Sequence, residues 1–423
     1  MINWLFTQTP LVFLTQSFWR DEAFSYFLAK KNFFEIIFLS AKDFSPPLYY
    51  LILHFWMKIF GSSEIALRLM SLIFFWLTTY IFFIFLTDIL KLKVSKALFY
   101  LIFFVINPLQ LYYGFEARSY SMFSFLSIAS FYFLFKNNKK MYLLSTILGL
   151  YTHYFMIFVV AIQYFIFKSK NQVIAFLSFL PWLIFILINK NFFNESFWIK
   201  KTTLKDIINF IGNVYTGYEY DFKFFDKDLF KLSIFLLIII ASLIFIKLKT
   251  KKEELFLKTL IIWSVITPFL ITIISFIKPI FLPRYLIFAN TGLLILLIYI
   301  LEKYPKILKY ISIIILLIIT IKYNQVQIQK RQKINLKKPI LEIKSLMKKN
   351  DYLYVVSELD FFTAQYYLDE NRVYIWEKTY EEIPSYVGKV LIDKNKVKNL
   401  LPFYPQKAFI LTPWGEYSIQ AIY

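Results

Sequence analysis

Long apolar runs separated by short lysine-bearing breaks constrain this chain more than any other feature. Runs long enough to cross a bilayer occur near 64–88, 97–113, 120–136, 173–189, 229–247, 255–277, 285–301 and 307–322. A further run over 140–168 is broken at Thr152-His153 and reads as two short, tilted spans. Residues 2–17 form a weak first span interrupted by Gln8, Thr9 and Pro10. With 59% hydrophobic and 22% aromatic residues among 423, a soluble fold could not hide this apolar surface, so the pattern predicts a polytopic membrane protein.

Charge placement orders the spans. The formal net charge of +21 would ordinarily raise nucleic-acid binding, but the lysines sit largely in the breaks. Lys91, Lys93 and Lys96 form one basic loop, Lys136, Lys139 and Lys140 another; Lys168 with Lys170, Lys247 through Lys252, and Lys303 with Lys306 continue the series. Cytoplasmic loop bias accounts for this better than a nucleic-acid surface. The alternation closes only if the apolar segment 47–60 does not cross. At 1.5 Å per residue it reaches roughly 20 Å, short of a hydrocarbon core about 30 Å thick, so it reads as an interfacial or re-entrant helix. The expectation is about eleven spans, N-terminus inside and C-terminus outside. The absence of cysteine excludes disulfides, thiolate metal sites and Cys nucleophiles. No basic n-region or small-residue cleavage site marks a signal peptide.

This topology puts Asp21, Asp43, Glu116, Arg118, His153 and Arg284 on the outer side. Acidic residues at a membrane interface are costly unless they serve a purpose, and two acidic clusters, Asp21-Glu22 and Asp43, fall within the first extramembrane stretch. Asp21 needs only an ionised carboxylate and reach to a hydroxyl to act as a general base. Glu22 beside it could tune that carboxylate or contact an acceptor; equally, an Asp-Glu pair can cap the helix that begins at Ala23. Pro46-Pro47 fixes the backbone after Asp43.

Only six of the 48 basic residues are arginine, so lysine serves wherever charge alone suffices. Arg20, Arg118 and Arg284 lie at predicted outer edges beside Asp21, Glu116 and Tyr285. Their planar forks suit phosphate or carboxylate, and snorkelling or a structural pair with Glu116 is the competing reading. Arg68, heading a span, reads as structural. His153 could bind phosphate or a metal, or be a satisfied interfacial histidine; His54 reads as packing. Asp43, Glu116 and His153 could together hold a divalent cation. No P-loop, dinucleotide turn, HExxH, GxSxG or DxD motif is present. An outer loop over 190–228, with Phe192, Phe193, Trp198, Tyr215, Tyr218 and Tyr220, reads as a lid or lipid-binding lip. After Ile321 the composition turns polar. Short β-like runs over 352–356, 373–376, 390–392 and 408–411, with a helical stretch from Phe361 to Leu368, point to a small extracytoplasmic α/β domain. The domains expected are 1–322, membrane, and 323–423, outside it.

Several segments occur in an order seen in one known group. They are Trp19-Arg20-Asp21-Glu22-Ala23, Asp43-Phe44-Ser45-Pro46-Pro47-Leu48-Tyr49-Tyr50, Gly61-Ser62-Ser63-Glu64-Ile65-Ala66-Leu67-Arg68, Asn107-Pro108 with Tyr112 to Tyr120, Tyr151-Thr152-His153-Tyr154-Phe155, and Pro283-Arg284-Tyr285-Leu286. Over roughly the first 290 residues the chain resembles the GT-C membrane glycosyltransferases, specifically the glycosyltransferase 39 group of protein O-mannosyltransferases and the aminoarabinose transferase of lipid A. Ser45 departs from relatives that carry His or Lys before the proline pair.

The resemblance implies a mainly α, polytopic transmembrane helical bundle that moves a sugar from a polyprenyl-phosphate donor to an acceptor hydroxyl on a protein, lipid or glycan. It implies Asp21 as catalytic base, Arg284 on the donor phosphate, and Asp43, Glu116 and His153 near that phosphate or its metal; beside these, Glu22 is a further catalytic candidate and Arg118, His153 and Tyr285 are candidates for the donor phosphate. A lipid-linked glycan flippase or transporter, or a surface polysaccharide polymerase or ligase, would use similar lipids. A transporter predicts mid-bilayer charges and paired broken repeats, whereas here the charges gather at one interface.

Overall fold

The computed structural model describes residues 2–188, 199–219, 225–248 and 250–423. It is mostly helical, and six described helices are long and apolar enough to cross a membrane: Glu64–Asp88, Lys170–Ile188, Asp226–Phe245, Lys251–Ile274, Pro283–Lys303 and Lys306–Lys330. A seventh span arises if Val94–Val105 and Pro108–Gly114, bent by 69°, are counted as one. The break falls at Asn107-Pro108. Proline there has no amide to donate, and the Asn107 side chain instead accepts from the Gln110 amide at 3.2 Å.

The other runs form shorter helices. Tyr120–Phe135 has 16 residues, and Lys139–Leu150 and Met156–Phe167 have 12 each, with the expected break at Thr152-His153. The first run is divided into Ile2–Gln8 and Val12–Thr15. Leu48–Phe60 is a helix of 13 residues, as its length predicted. Against the expected count of about eleven, the described residues hold six helices of spanning length, or seven with the bent pair, and the remaining runs are pieces too short to cross alone.

The chain divides into two compact units. The first joins Arg68–Phe185 and Ile199–Arg331 with the chain start up to Phe13. Its centre is the helix Ile287–Lys303, apolar up to Glu302 apart from Asn290 and Thr291 and buried from Ile287 to Leu301. With no charged residue before Glu302 the helix has no solvent face, so neighbours cover it. Trp263 packs face to face on Phe131 (3.8 Å between centroids, 21°) and donates its indole N–H to the Phe288 carbonyl at 2.8 Å. Gly292 makes room for it: a Cβ there would fall 2.6 Å from the Trp263 ring. Asn290 on the same helix donates to the carbonyls of Val214 (2.9 Å) and Tyr215 (3.1 Å) and accepts from Gln110 Nε2 (3.0 Å), whose Oε1 takes the Ser124 hydroxyl (2.9 Å). Polar groups buried this deeply need such partners.

Part of the predicted 190–228 loop is a helix instead, Leu204–Thr216, with its Tyr215 buried, like Tyr218 beyond it, rather than presented on a lip. Thr203 and Asp206 cap it reciprocally, a signal the sequence carries. Phe192, Phe193, Trp198 and Tyr220 lie outside the described residues.

The second unit joins Leu14–Leu67 with Gln332–Tyr423. It holds a five-stranded sheet of β1 (Tyr352–Val355), β2 (Val373–Trp376), β3 (Val397–Lys398), β4 (Ala408–Leu411) and β5 (Tyr417–Gln420), in the order β3-β2-β1-β4-β5. All neighbours are parallel except β4 and β5. β1 and β4, central and continuously apolar, are the strands a parallel, doubly covered sheet requires. The run 390–392 is not a strand: Lys389–Leu391 forms a 3-10 turn following Gly388, whose φ of +82° turns the chain before extended pairing can begin. The helix expected over 361–368 is present as Phe361–Tyr367. Also in this unit lie Arg20–Ala29 and Phe33–Lys42.

Candidate active site

The predicted site residues fall into both units. Asp21, Glu22 and Asp43 belong to the second; Glu116, Arg118, His153, Arg284 and Tyr285 belong to the first.

In the first unit, Pro283 sets the start of the short turn Pro283–Leu286, from which Arg284 projects. Arg284 Nη1 lies 3.8 Å from Glu219 Oε1. Gly217 places Glu219: at φ +66° it ends Leu204–Thr216 in the left-handed conformation, and a Cβ there would meet Leu109 at 2.5 Å. A second guanidinium reaches the same carboxylate oxygen, Arg331 Nη2 at 3.3 Å. Arg331 also donates to the Tyr113 hydroxyl (2.9 Å), the Gly217 carbonyl (3.2 Å) and Gln327 Oε1 (3.2 Å), and its guanidinium carbon stands 3.9 Å above the Tyr112 ring. Tyr113 donates its hydroxyl to Glu219 Oε1 at 3.1 Å. The Glu219 carboxylate thus bridges two arginines, one buried and one half-buried. Their planar forks suit phosphate oxygens.

An aromatic wall adjoins Arg284. Its neighbour Tyr285 packs edge-on to His153 (5.2 Å) and Phe155 (5.1 Å), while His153 stacks on Phe123 at 4.6 Å and 12°. The Phe155 amide donates to His153 Nδ1 at 3.2 Å. Nδ1 is therefore the acceptor, and the neutral ring carries its proton on Nε2. Glu116 is buried in the turn after Pro108–Gly114, and its carbonyl accepts the Arg118 amide at 2.7 Å.

In the second unit the two acids of the Asp21-Glu22 pair have separated roles. Glu22 is fully buried; its Oε2 accepts the Trp19 amide and the Lys333 ammonium, each at 3.0 Å. It closes the helix N-terminus, the capping alternative foreseen for the pair. Asp21 remains half-exposed. Arg20 turns to Asp360 (2.6 Å). Asp43 ends Phe33–Lys42 and takes the Ser45 hydroxyl at 2.9 Å, with Pro46-Pro47 buried before Leu48–Phe60. His54 binds the Ala29 carbonyl at 2.8 Å, a packing role.

Among the described residues no three or more His, Asp or Glu side chains gather where they could hold a metal ion. His153, one of the three residues of the expected cation set, has its Nδ1 lone pair in a backbone hydrogen bond. The sequence reading did not select Glu219, Lys333 or Asp360. Arg331 could have been picked out by the rarity of arginine, which makes each one informative.

No protein-family model matches the chain, and no curated protein matches it in sequence. Solved structures do match in fold. ArnT from Cupriavidus metallidurans in the apo state superposes with a TM-score of 0.62 at 10% identity, over 97% of this chain and 90% of that one. The same protein bound to undecaprenyl phosphate gives a TM-score of 0.61 at 11% identity, over 95% and 91%. The chain therefore has the ArnT fold along nearly its whole length, the fold its sequence resemblance implied.

Proposed function

We propose that this protein is an integral membrane glycosyltransferase that moves a sugar from a polyprenyl-phosphate donor to an acceptor hydroxyl, with inversion at the anomeric carbon. The observation that carries this reading is a fold shared over 97% of the chain with a protein whose structure also exists with undecaprenyl phosphate bound. The Arg284–Glu219–Arg331 group supports it, being a ready partner for a phosphate.

In this reading the short and broken helices join the six long ones to make about eleven spans. Residues 1–322 form the membrane domain, and the C-terminal α/β domain (323–423) and the active site lie on the outer face of the cell membrane. Asp21 takes the acceptor hydroxyl proton as that oxygen attacks the anomeric carbon. The bond from that carbon to the phosphate oxygen breaks, and the phosphate leaves with the electron pair. The transition state is oxocarbenium-like, as in glycoside hydrolysis. A phosphate needs no proton to leave, only neutralisation, which Arg284 with Arg118 supplies. His153 adds an Nε2–H donor and Tyr285 a hydroxyl.

The test is an in vitro transfer assay in detergent with polyprenyl-phosphate mannose, glucose and arabinose-type donors, following release of free polyprenyl phosphate. Removing a general base costs on the order of 10²–10⁴-fold, so Asp21→Asn should lose that much. Undiminished release by that variant would remove Asp21 as base; a folded, lipid-bound protein that releases nothing from any donor would count against the transferase reading.

A further inference from the structure

The second unit holds the segment 16–22 at almost every residue with groups from 333 to 367. The Lys333 amide donates to Gln16 Oε1 (3.1 Å), and the Lys337 amide to Ser17 Oγ (3.2 Å). The Phe18 amide donates to the Tyr367 hydroxyl (2.7 Å), which in turn bonds Glu64, itself paired with Lys337 at 2.6 Å. Arg20 Nε meets Asp360 at 2.6 Å, where the Asp360 side chain is 3% exposed. Glu22 meets Lys333 at 3.0 Å, with side chains 0% and 5% exposed. The two ion pairs come from residues on either side of Asp21, the acid of this segment that stays half-exposed.

Packing energy alone does not explain the Glu22–Lys333 pair. Taking both charges from water costs several kcal/mol per ion, and well-packed apolar residues of similar volume often do as well or better. What the pair does supply is direction. Consecutive residues on a helix project about 100° apart, so fixing Glu22 against Lys333 sets the rotation of Arg20–Ala29 about its axis and hence the direction of Asp21. Arg20–Asp360 fixes the same first turn from the residue before.

We infer that Lys333, acting through Glu22, and Asp360, acting through Arg20, are positioning residues for Asp21, so that the C-terminal α/β segment is a working part of the catalytic apparatus. The inference rests on the reading of Asp21 as base.

The test compares full-length wild type with Lys333→Met, Lys333→Arg, the double variant Glu22→Met with Lys333→Met, and Asp21→Asn. Each is assayed with whichever polyprenyl-phosphate sugar gives Asp21-dependent release, and amide hydrogen exchange is followed over residues 18–29. A base displaced by about 1 Å costs on the order of 10²-fold. Lys333→Met should lower kcat by about that factor with the donor KM within about twofold, and should raise exchange in 18–29. Lys333→Arg should recover most of the rate. The double variant should regain melting temperature without regaining kcat, since it removes the stranded charge but not the loss of direction. A kcat near wild type in Lys333→Met, or full recovery of kcat in the double variant, would overturn the inference while Asp21→Asn stays inactive. Full activity in Asp21→Asn would overturn the base assignment, and exchange over 18–29 would then decide alone whether Lys333 orders this helix.

Discussion

Replacing Arg331 by Met tests whether the buried arginine–carboxylate group is one coupled unit. Arg331 is 3% exposed and Glu219 17%. The substitution keeps a long apolar stem but removes the contacts to Glu219, Tyr113, Gln327 and the Gly217 carbonyl. Stripping one partner from a buried pair costs about 3–5 kcal/mol, mostly because the other charge is stranded. Glu219 retains Arg284 at 3.8 Å and the Tyr113 hydroxyl at 3.1 Å, which puts the expected loss at the lower end, about 3 kcal/mol. The assay is unfolding in mixed detergent micelles with increasing SDS, read by tryptophan fluorescence. A double-mutant cycle with Glu219→Gln isolates the coupling. With the carboxylate neutralised first, Arg331→Met should cost about 1–2 kcal/mol, so that the interaction term is about 1–2 kcal/mol. If Arg331→Met costs the same in both backgrounds, within about 0.5 kcal/mol, the two residues act independently and the reasoning fails.

Three further outcomes follow from the packing. Asn290→Leu strands the Val214 carbonyl and takes one acceptor from Gln110, which keeps the Ile287 carbonyl at 3.3 Å, while Asn107 still serves Tyr215; it should lower the same unfolding free energy by about 2 kcal/mol. Gly292→Ala forces a methyl against a Trp263 ring that is stacked on Phe131 and hydrogen-bonded to Phe288, with an expected loss of about 1–3 kcal/mol and a shift in tryptophan emission. Burial raises the pKa of the Asp360 carboxyl above its usual 3.8, against the opposing pull of Arg20. The folded state therefore holds this proton more tightly than the unfolded one. Its ionised form lowers stability at neutral pH, and that cost disappears as pH falls through the raised pKa toward 3.8. Melting temperature of wild type relative to Asp360→Asn should accordingly rise on acidification between neutral pH and about 4 and level off below; a flat difference would contradict the shift.

The lipid-crossing architecture was legible in the chain because a span is a local property, a matter of apolar length and lysine-bearing ends. The same holds for the break at Thr152-His153, the short helix after Pro46-Pro47, the strands 352–355, 373–376 and 408–411, and the helix from Phe361. Where local signal was thin, the reading missed: β3 has two residues, β5 is largely exposed, and the run 390–392 lost its extended form to Gly388. Residues 204–216 form a helix where the sequence pattern predicts a loop, and Thr203 and Asp206 carry its capping signature.

By itself the sequence determined which residues could do chemistry: the scarce arginines and histidines and the acids bordering apolar runs. Only the tertiary structure decided how they divide the work. Asp21 and Glu22 are adjacent acids with the same intrinsic chemistry, yet one stays half-exposed and the other is buried against Lys333, more than 300 positions away. Arg284 meets Glu219, which Arg331 shares from yet another helix end. Such pairings are set by which backbones the fold brings together and by the cost of leaving a buried charge alone, and neither quantity is written in any local stretch of the chain.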